Sequence, residues 1–421
     1  MKSRLRKPLV FMLSAVVAVG LASSAGAAVN DPKGQEIYRI VALGDSISVG
    51  YEPGMDLSSV AYGYADRLYE QSLFHSRSEF ANYAIMGLTT PGLVNLLKGS
   101  AESKPLTAVD LQDFSMYPDG VDDQANSVAA RAPQLAKDLT NANLVVMTIG
   151  ANDFGPIINA AKDQSVDAAR QIIQDSFVKT MNKYTEDLDE MMTILHKLAP
   201  NAQIVLADQY NPLRTEISLY GDIAKLADEV AEKLDLFKDN LNKKGIPLQI
   251  AHVSSKFKGD PFLTHLNPLE MDTHPTQAGY ETIAQVFADV VWKQYLNPAP
   301  RAKGVPISVV INGAESPNKA VIVKNTTFLA IRDVADAVDA EFIWNQKTKT
   351  ASFSKNGRKV VLTIGAKTIQ VNGAVQPLDT PAYFQQSGKE LKTYVPLAVI
   401  SEGLDFQVVF RKQLLTAFIN S

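Results

Sequence analysis

Tyr38-Arg39-Ile40-Val41-Ala42-Leu43-Gly44-Asp45-Ser46-Ile47-Ser48 decides the reading of this chain. Its first half is a β-rich apolar run that stops at a glycine, and short polar side chains follow at once. The same form returns in Leu144-Val145-Val146-Met147-Thr148-Ile149, which stops at Gly150, and again over residues 203–207 and 248–253. Apolar runs of this length suit parallel strands covered on both faces. Helical patterns lie between them, over residues 62–74, 128–139, 166–198 and 217–242. The alternation predicts an α/β sandwich with a mostly parallel sheet. Ligands of such sheets bind beyond the carboxyl ends of the strands.

Outward from this core the pattern changes twice. Residues 298–306 hold three prolines and a glycine in a short polar stretch, which reads as a linker after a domain spanning 36–297. Beyond it, residues 307–421 are strand-rich and carry an internal echo. Thr327-Phe328-Leu329-Ala330-Ile331 aligns without gaps to Thr393-Tyr394-Val395-Pro396-Leu397, and Asn312-Gly313-Ala314 recurs as Asn372-Gly373-Ala374. The expectation is a smaller α+β domain of two repeated units of strand, short helix and hairpin, each burying too little alone. The linker predicts that this tail is dispensable for any chemistry in the first domain.

At the other end, Lys2, Arg4, Arg6 and Lys7 precede an apolar stretch and the small residues Ala25-Gly26-Ala27-Ala28. Residues 1–28 therefore read as a signal peptide. The stretch is short of the ~20 apolar residues that span a bilayer, so no membrane span is expected after processing. The 421 residues include no cysteine, which excludes disulfides, thiol catalysis and thiolate metal sites. A formal charge of −4 with mixed signs excludes an electrostatic nucleic-acid binder.

Four segments carry candidate chemistry. Ser46 emerges where a strand ends, either as an exposed nucleophile or as part of a helix cap with Asp45. Asn152, in Gly150-Ala151-Asn152-Asp153, follows a second buried-type strand and is either an oxyanion donor or a turn residue. Gly87, in Asn82-Tyr83-Ala84-Ile85-Met86-Gly87-Leu88, offers a backbone N–H at close range or a positive φ. His274, in Asp272-Thr273-His274-Pro275-Thr276, sits before a helix that Pro275 would start, with Asp272 near enough to orient its ring. His75, His196, His252 and His265 lack such settings and read as structural.

These four blocks, in this order, resemble the SGNH hydrolase superfamily, the GDSL esterases and lipases, over about residues 39–292. The resemblance implies a three-layer α/β/α sandwich and a Ser-His-Asp site. Ser46 would be the nucleophile and His274 the base. The oxyanion hole would come from Ser46, Gly87 and Asn152. The family pattern puts the acid three residues before the histidine, where this chain has Met271. Asp272 is the candidate and Glu270 the substitute. The tail resembles the N-terminal domain of copper amine oxidases, yet it holds no histidine or cysteine, so copper binding is not supported. It reads as a surface or polysaccharide-binding module, or as a passive stabilising domain.

The chain is thus expected to be a secreted or surface-associated esterase or lipase of a Gram-positive bacterium, with no cofactor and no metal. Its substrate would be a small ester or an acylated glycan. Residues 99–120 are a long polar segment beside the site, expected to form a lid. The alternatives are a carbohydrate O-deacetylase acting on wall polysaccharide, and a noncatalytic surface-binding protein on a hydrolase scaffold.

Overall fold

The computed structural model describes residues 37–421 apart from 57, 162, 267–271, 317–318, 325 and 388–389. The expected signal peptide and Glu270 lie outside the described residues. Five strands form the first sheet: β1 (Tyr38–Gly44), β2 (Ser78–Asn82), β3 (Leu144–Thr148), β4 (Gln203–Ala207) and β5 (Gln249–Ala251). Their order is β2-β1-β3-β4-β5 and every pair is parallel. The chain reverses its direction of sheet growth between β1 and β3, which places a ligand crevice beyond the carboxyl ends of those two strands.

Successive strand residues point to opposite faces. Val41, Leu43, Val145 and Met147 pack with Leu93, Leu97, Leu135, Leu188 and Leu195 on one side. Ile40, Ala42 and Val146 pack with Tyr64, Leu68, Tyr280 and Phe287 on the other. Both faces are covered, which is why the strands read as continuous apolar runs. The three-layer α/β/α sandwich is what the sequence leads one to expect.

Gly44 ends β1 and Gly150 follows β3, with φ of 114° and 118°. A Cβ on Gly44 would lie 2.0 Å from the Thr148 carbonyl oxygen, and one on Gly150 would strike the Tyr184 ring. Only glycine lets the chain turn sharply over the sheet edge at both places.

Some elements differ from expectation. The helix expected over 128–139 is two helices, Val121–Ala129 and Ala132–Thr140, with Pro133 opening the second. The helix after His274 runs Gln277–Val291 and is capped by Thr276, whose hydroxyl accepts the Gly279 N–H. His274 therefore stands before the cap and is not itself the cap. Residues 99–120 are no open loop: they hold the helical turn Ala108–Leu111 and bury Leu106, Leu111 and Phe114.

The tail contains the two repeats. Strand Thr326–Ala330, helix Ile331–Ala337 and hairpin Glu341–Asn345/Thr350–Lys355 recur as Glu390–Pro396, Leu397–Gly403 and Gln407–Arg411/Thr416–Asn420. The two leading strands pair antiparallel, with Leu329 opposite Val395. Asn312-Gly313 and Asn372-Gly373 turn two hairpins with positive φ at all four residues, as that dipeptide favours.

The tail packs on the edge of the first sheet. Gln407 accepts the Ser78 N–H (2.8 Å) and donates to the Ser78 carbonyl (2.7 Å), pairing the backbone of edge strand β2 as a neighbouring strand would. Arg411 meets the buried Glu70 carboxylate at 2.9 Å, and Asn420 donates to the Leu73 and Ser76 carbonyls. Phe74 and Phe418 close the seam edge-to-face at 4.9 Å. A chain ending near Pro298 loses these partners and leaves Glu70 with Tyr62 as its hydrogen-bond donor. The shortened protein is expected to fold but to melt on the order of 5 °C lower or more. Scanning calorimetry checks this, and an unchanged melting temperature would show that the seam contributes nothing.

Candidate active site

Asp45 and Ser46 follow β1 directly. The Asp45 carboxylate accepts the Ile47 N–H (3.1 Å) and the Thr148 hydroxyl (2.8 Å). Ser48 joins Thr148 (2.8 Å) and Tyr64 (2.7 Å) beneath it. This buried network fixes the short helix Ser46–Val49 at the sheet edge. Asp45 thus caps the helix, while Ser46 keeps its hydroxyl for another partner. Burial pushes the Asp45 carboxyl up to about 6, against the pull of Thr148, Ile47 and His274.

That partner is His274. Its Nε2 lies 2.7 Å from the Ser46 Oγ, and its Nδ1 lies 2.7 Å from Oδ1 of Asp272. With Nδ1 protonated toward Asp272, Nε2 accepts the serine hydroxyl. The two-residue spacing works because Asp272 Oδ1 also accepts the His274 backbone N–H at 2.8 Å, folding the carboxylate back under its own ring. Burial raises the Asp272 carboxyl. The His274 ring and backbone N–H together outweigh burial and hold it below its ordinary value.

The loop around His274 is tied down on several sides. The Tyr210 hydroxyl donates to the Thr273 carbonyl (2.8 Å), the His265 N–H donates to the His274 carbonyl (2.9 Å), and Pro275 bridges to Thr264. Tyr210 belongs to the Tyr-Asn-Pro that follows β4. Its stacking on Phe257 at 4.2 Å makes it a fixed post.

The other two candidates arrive on loops that are stitched together. Asn152 donates to the Leu88 carbonyl at 2.9 Å, which leaves its second N–H available. Asp153 accepts from the Thr90 N–H (3.0 Å) and hydroxyl (3.1 Å). Burial pushes the Asp153 carboxyl up to about 6 despite those bonds. Gly87 has φ 72°, and a Cβ there would lie 2.4 Å from the Tyr117 ring. Gln112 takes the Gly87 carbonyl at 2.9 Å and Gln124 takes the Met86 N–H at 3.1 Å, so that segment is held from behind. Among the described residues, the N–H groups of Ser46 and Gly87 donate no hydrogen bond.

Three of the remaining histidines sit elsewhere. His75 stacks on Trp292, His252 pairs with Asp208 at 3.1 Å, and His196 lies on the long helix Val166–Leu198. His265 faces Glu52 at 3.3 Å. No group of three or more metal-ligating side chains occurs among the described residues.

Comparison with known proteins gives two family matches. Residues 42–282 match the GDSL-like Lipase/Acylhydrolase family, and residues 310–419 match the Copper amine oxidase N-terminal domain. The uncharacterized protein YpmR of Bacillus subtilis (strain 168) is 23% identical over 209 residues, which is 49% of this chain and 75% of YpmR. Among solved structures, an extracellular lipase from Streptomyces rimosus aligns with TM-score 0.41 and 18% identity, covering 60% of this chain and 99% of that one. A phospholipase A1 from Streptomyces albidoflavus NA297 aligns with TM-score 0.41 and 17% identity, again over 60% of this chain and 99% of its own.

Proposed function

Because this chain belongs to the GDSL-like lipase/acylhydrolase family, we propose that it is a secreted serine esterase or lipase that cleaves carboxylic esters through an acyl-enzyme. The observation that carries the reading is the relay Asp272–His274–Ser46, with both links at 2.7 Å. In the first step His274 Nε2 takes the Ser46 proton as Oγ bonds to the carbonyl carbon. The carbonyl oxygen becomes the oxyanion, and Asp272 supports the imidazolium that forms. Collapse breaks the ester C–O bond, and His274 returns the proton to the departing alcohol. Water then repeats the sequence on the acyl-Ser46, releasing the acid.

The oxyanion would be met by the Ser46 and Gly87 N–H groups and the second N–H of Asn152. The Asn152–Leu88 and Asp153–Thr90 bonds hold two of these donors in place before substrate arrives. Asn152→Ala should therefore lower kcat by about 10²–10³-fold and change KM much less. Steady-state kinetics on one soluble ester checks this. A change confined to KM would reduce Asn152 to a substrate-positioning group.

Short- and medium-chain acyl esters are the proposed substrates, encountered outside the cell or at its surface. The tail would hold the catalytic region against a surface or stiffen it, without copper. A panel of acyl esters and acetylated glycans, run with Ser46→Ala as control, tests the reading. Release of acetate from glycans alone would make the protein a deacetylase. No turnover and no reaction with an organophosphonate would leave a noncatalytic surface protein.

A further inference from the structure

The loop after the nucleophile helix reaches back to the base. The Tyr51 ring meets the His274 imidazole edge-to-face, with centroids 4.7 Å apart and planes at 70°. Both the backbone and the neighbours of Tyr51 are fixed. Its N–H donates to the Ser46 carbonyl at 3.1 Å, and its carbonyl accepts the Tyr280 hydroxyl at 2.5 Å. The preceding Gly50 has φ 84° and lies so close to Gly63 that a Cβ would fall 2.6 Å from the Gly63 nitrogen. The following Glu52 accepts from Gln277 Nε2 at 2.6 Å, on the helix behind His274, and faces His265 Nε2 at 3.3 Å. One short segment is thus anchored both to the nucleophile's turn and to the base's helix, with an aromatic ring between.

From this geometry we infer that Tyr51 is a positioning residue for the general base. Two hydrogen bonds, one at each nitrogen, fix the imidazole along a single line. They leave it free to rock about the line joining them, and during turnover the Nε2 bond must break and re-form as the proton passes. The Tyr51 ring closes one side of the imidazole and limits that rocking. The ring and not the hydroxyl does this, so phenylalanine should serve and an aliphatic side chain should not.

The inference rests on His274 being the base, and its test separates the two claims. Wild type, Tyr51→Leu and Tyr51→Phe are compared on one soluble short-chain ester. Rates are given per Ser46 titrated with an organophosphonate, so misfolded protein does not count. Tyr51→Leu should lose about three- to tenfold in kcat with KM within about twofold of wild type. Tyr51→Phe should recover most of that loss. The rate of phosphonate labelling should follow the same order, since it needs the base but not the acyl pocket. A wild-type kcat in Tyr51→Leu overturns the inference. So does an equal loss in both variants, which would assign the effect to the hydroxyl, or a change confined to KM, which would make Tyr51 a substrate wall. Should Tyr51→Leu fail to fold, Tyr51→Met is read in the same way. A wild-type protein that neither hydrolyses the ester nor takes the label overturns the proposed function itself.

Discussion

Replacing Ser46 by alanine is expected to lower ester hydrolysis by about four to six orders of magnitude and to leave the fold intact. The size follows from chemistry: without Oγ no acyl-enzyme forms, and only the oxyanion donors and substrate binding remain. The harmlessness to folding follows from the contacts. Ser46 is half-buried, and among the described residues its hydroxyl bonds to His274 alone, whereas the buried network beneath it runs through Asp45, Ser48, Tyr64 and Thr148. Losing one such bond costs about 1 kcal/mol. An organophosphonate should label Ser46 in the wild type and nothing in the variant. Full activity in Ser46→Ala, or labelling at another residue, would remove Ser46 from the mechanism. A variant that is inactive because it is unfolded would be seen by calorimetry, and would mean that the hydroxyl contributes to the nucleophile turn in a way its single contact does not suggest.

How far the sequence alone leads depends on what kind of contact holds each part. β1, β3 and β4 are legible because both faces are covered, and full coverage leaves a continuous apolar run. β2, Ser-Glu-Phe-Ala-Asn, is not, because an edge strand half open to solvent keeps polar residues. Its missing neighbour is supplied from the tail by Gln407, more than three hundred residues away, and no local pattern could announce that pairing. The repeats in the tail are legible because they are local copies. Asp339 and Asp405, equivalent in the two units, even share a left-handed backbone. In the site, Ser46, Gly87, Asn152 and His274 stand out as short motifs where strands end or helices begin. Tyr51 does not, since its orientation is fixed by a distant partner, Tyr280. Residues 99–120 look like a lid by composition. Of their apolar side chains, Leu106, Leu111 and Phe114 are buried while Val109 and Met116 stay exposed, and Gln112 bonds to the Gly87 segment. A polar stretch can thus be a fixed wall when a few of its apolar residues face inward and a polar side chain ties it to its neighbour.

The acid is where the family pattern and this chain part company, and Asp272→Asn is expected to lower kcat about 10⁴-fold. In the wild type, Oδ1 of Asp272 accepts two hydrogen bonds from the same residue, the His274 backbone N–H and its Nδ1–H. Asparagine can keep the first through its oxygen. It then has no charge for the second, and if its amide nitrogen turns toward the ring, the proton moves to Nε2 and the imidazole can no longer accept from Ser46. Asp272 lies below the ordinary carboxylate value of 3.8, because its bonds to His274 outweigh its burial. Its charge therefore supports the site at every pH above that value and is lost only as the pH falls below it. The asparagine defect should accordingly stay constant across neutral and alkaline pH instead of appearing as a shifted limb. The loop is held independently by Tyr210, His265 and Thr264, so the variant should fold and bind substrate with a nearly unchanged KM. Glu270→Gln is the comparison, since that residue is the other acidic side chain flanking the family position at 271. It should retain most of the rate. If Glu270→Gln were the crippled variant and Asp272→Asn the active one, the acid would be Glu270, and the 2.7 Å contact of Asp272 would be reduced to a turn that shapes the loop. Equal, mild losses in both would leave His274 working as a base without a carboxylate behind it.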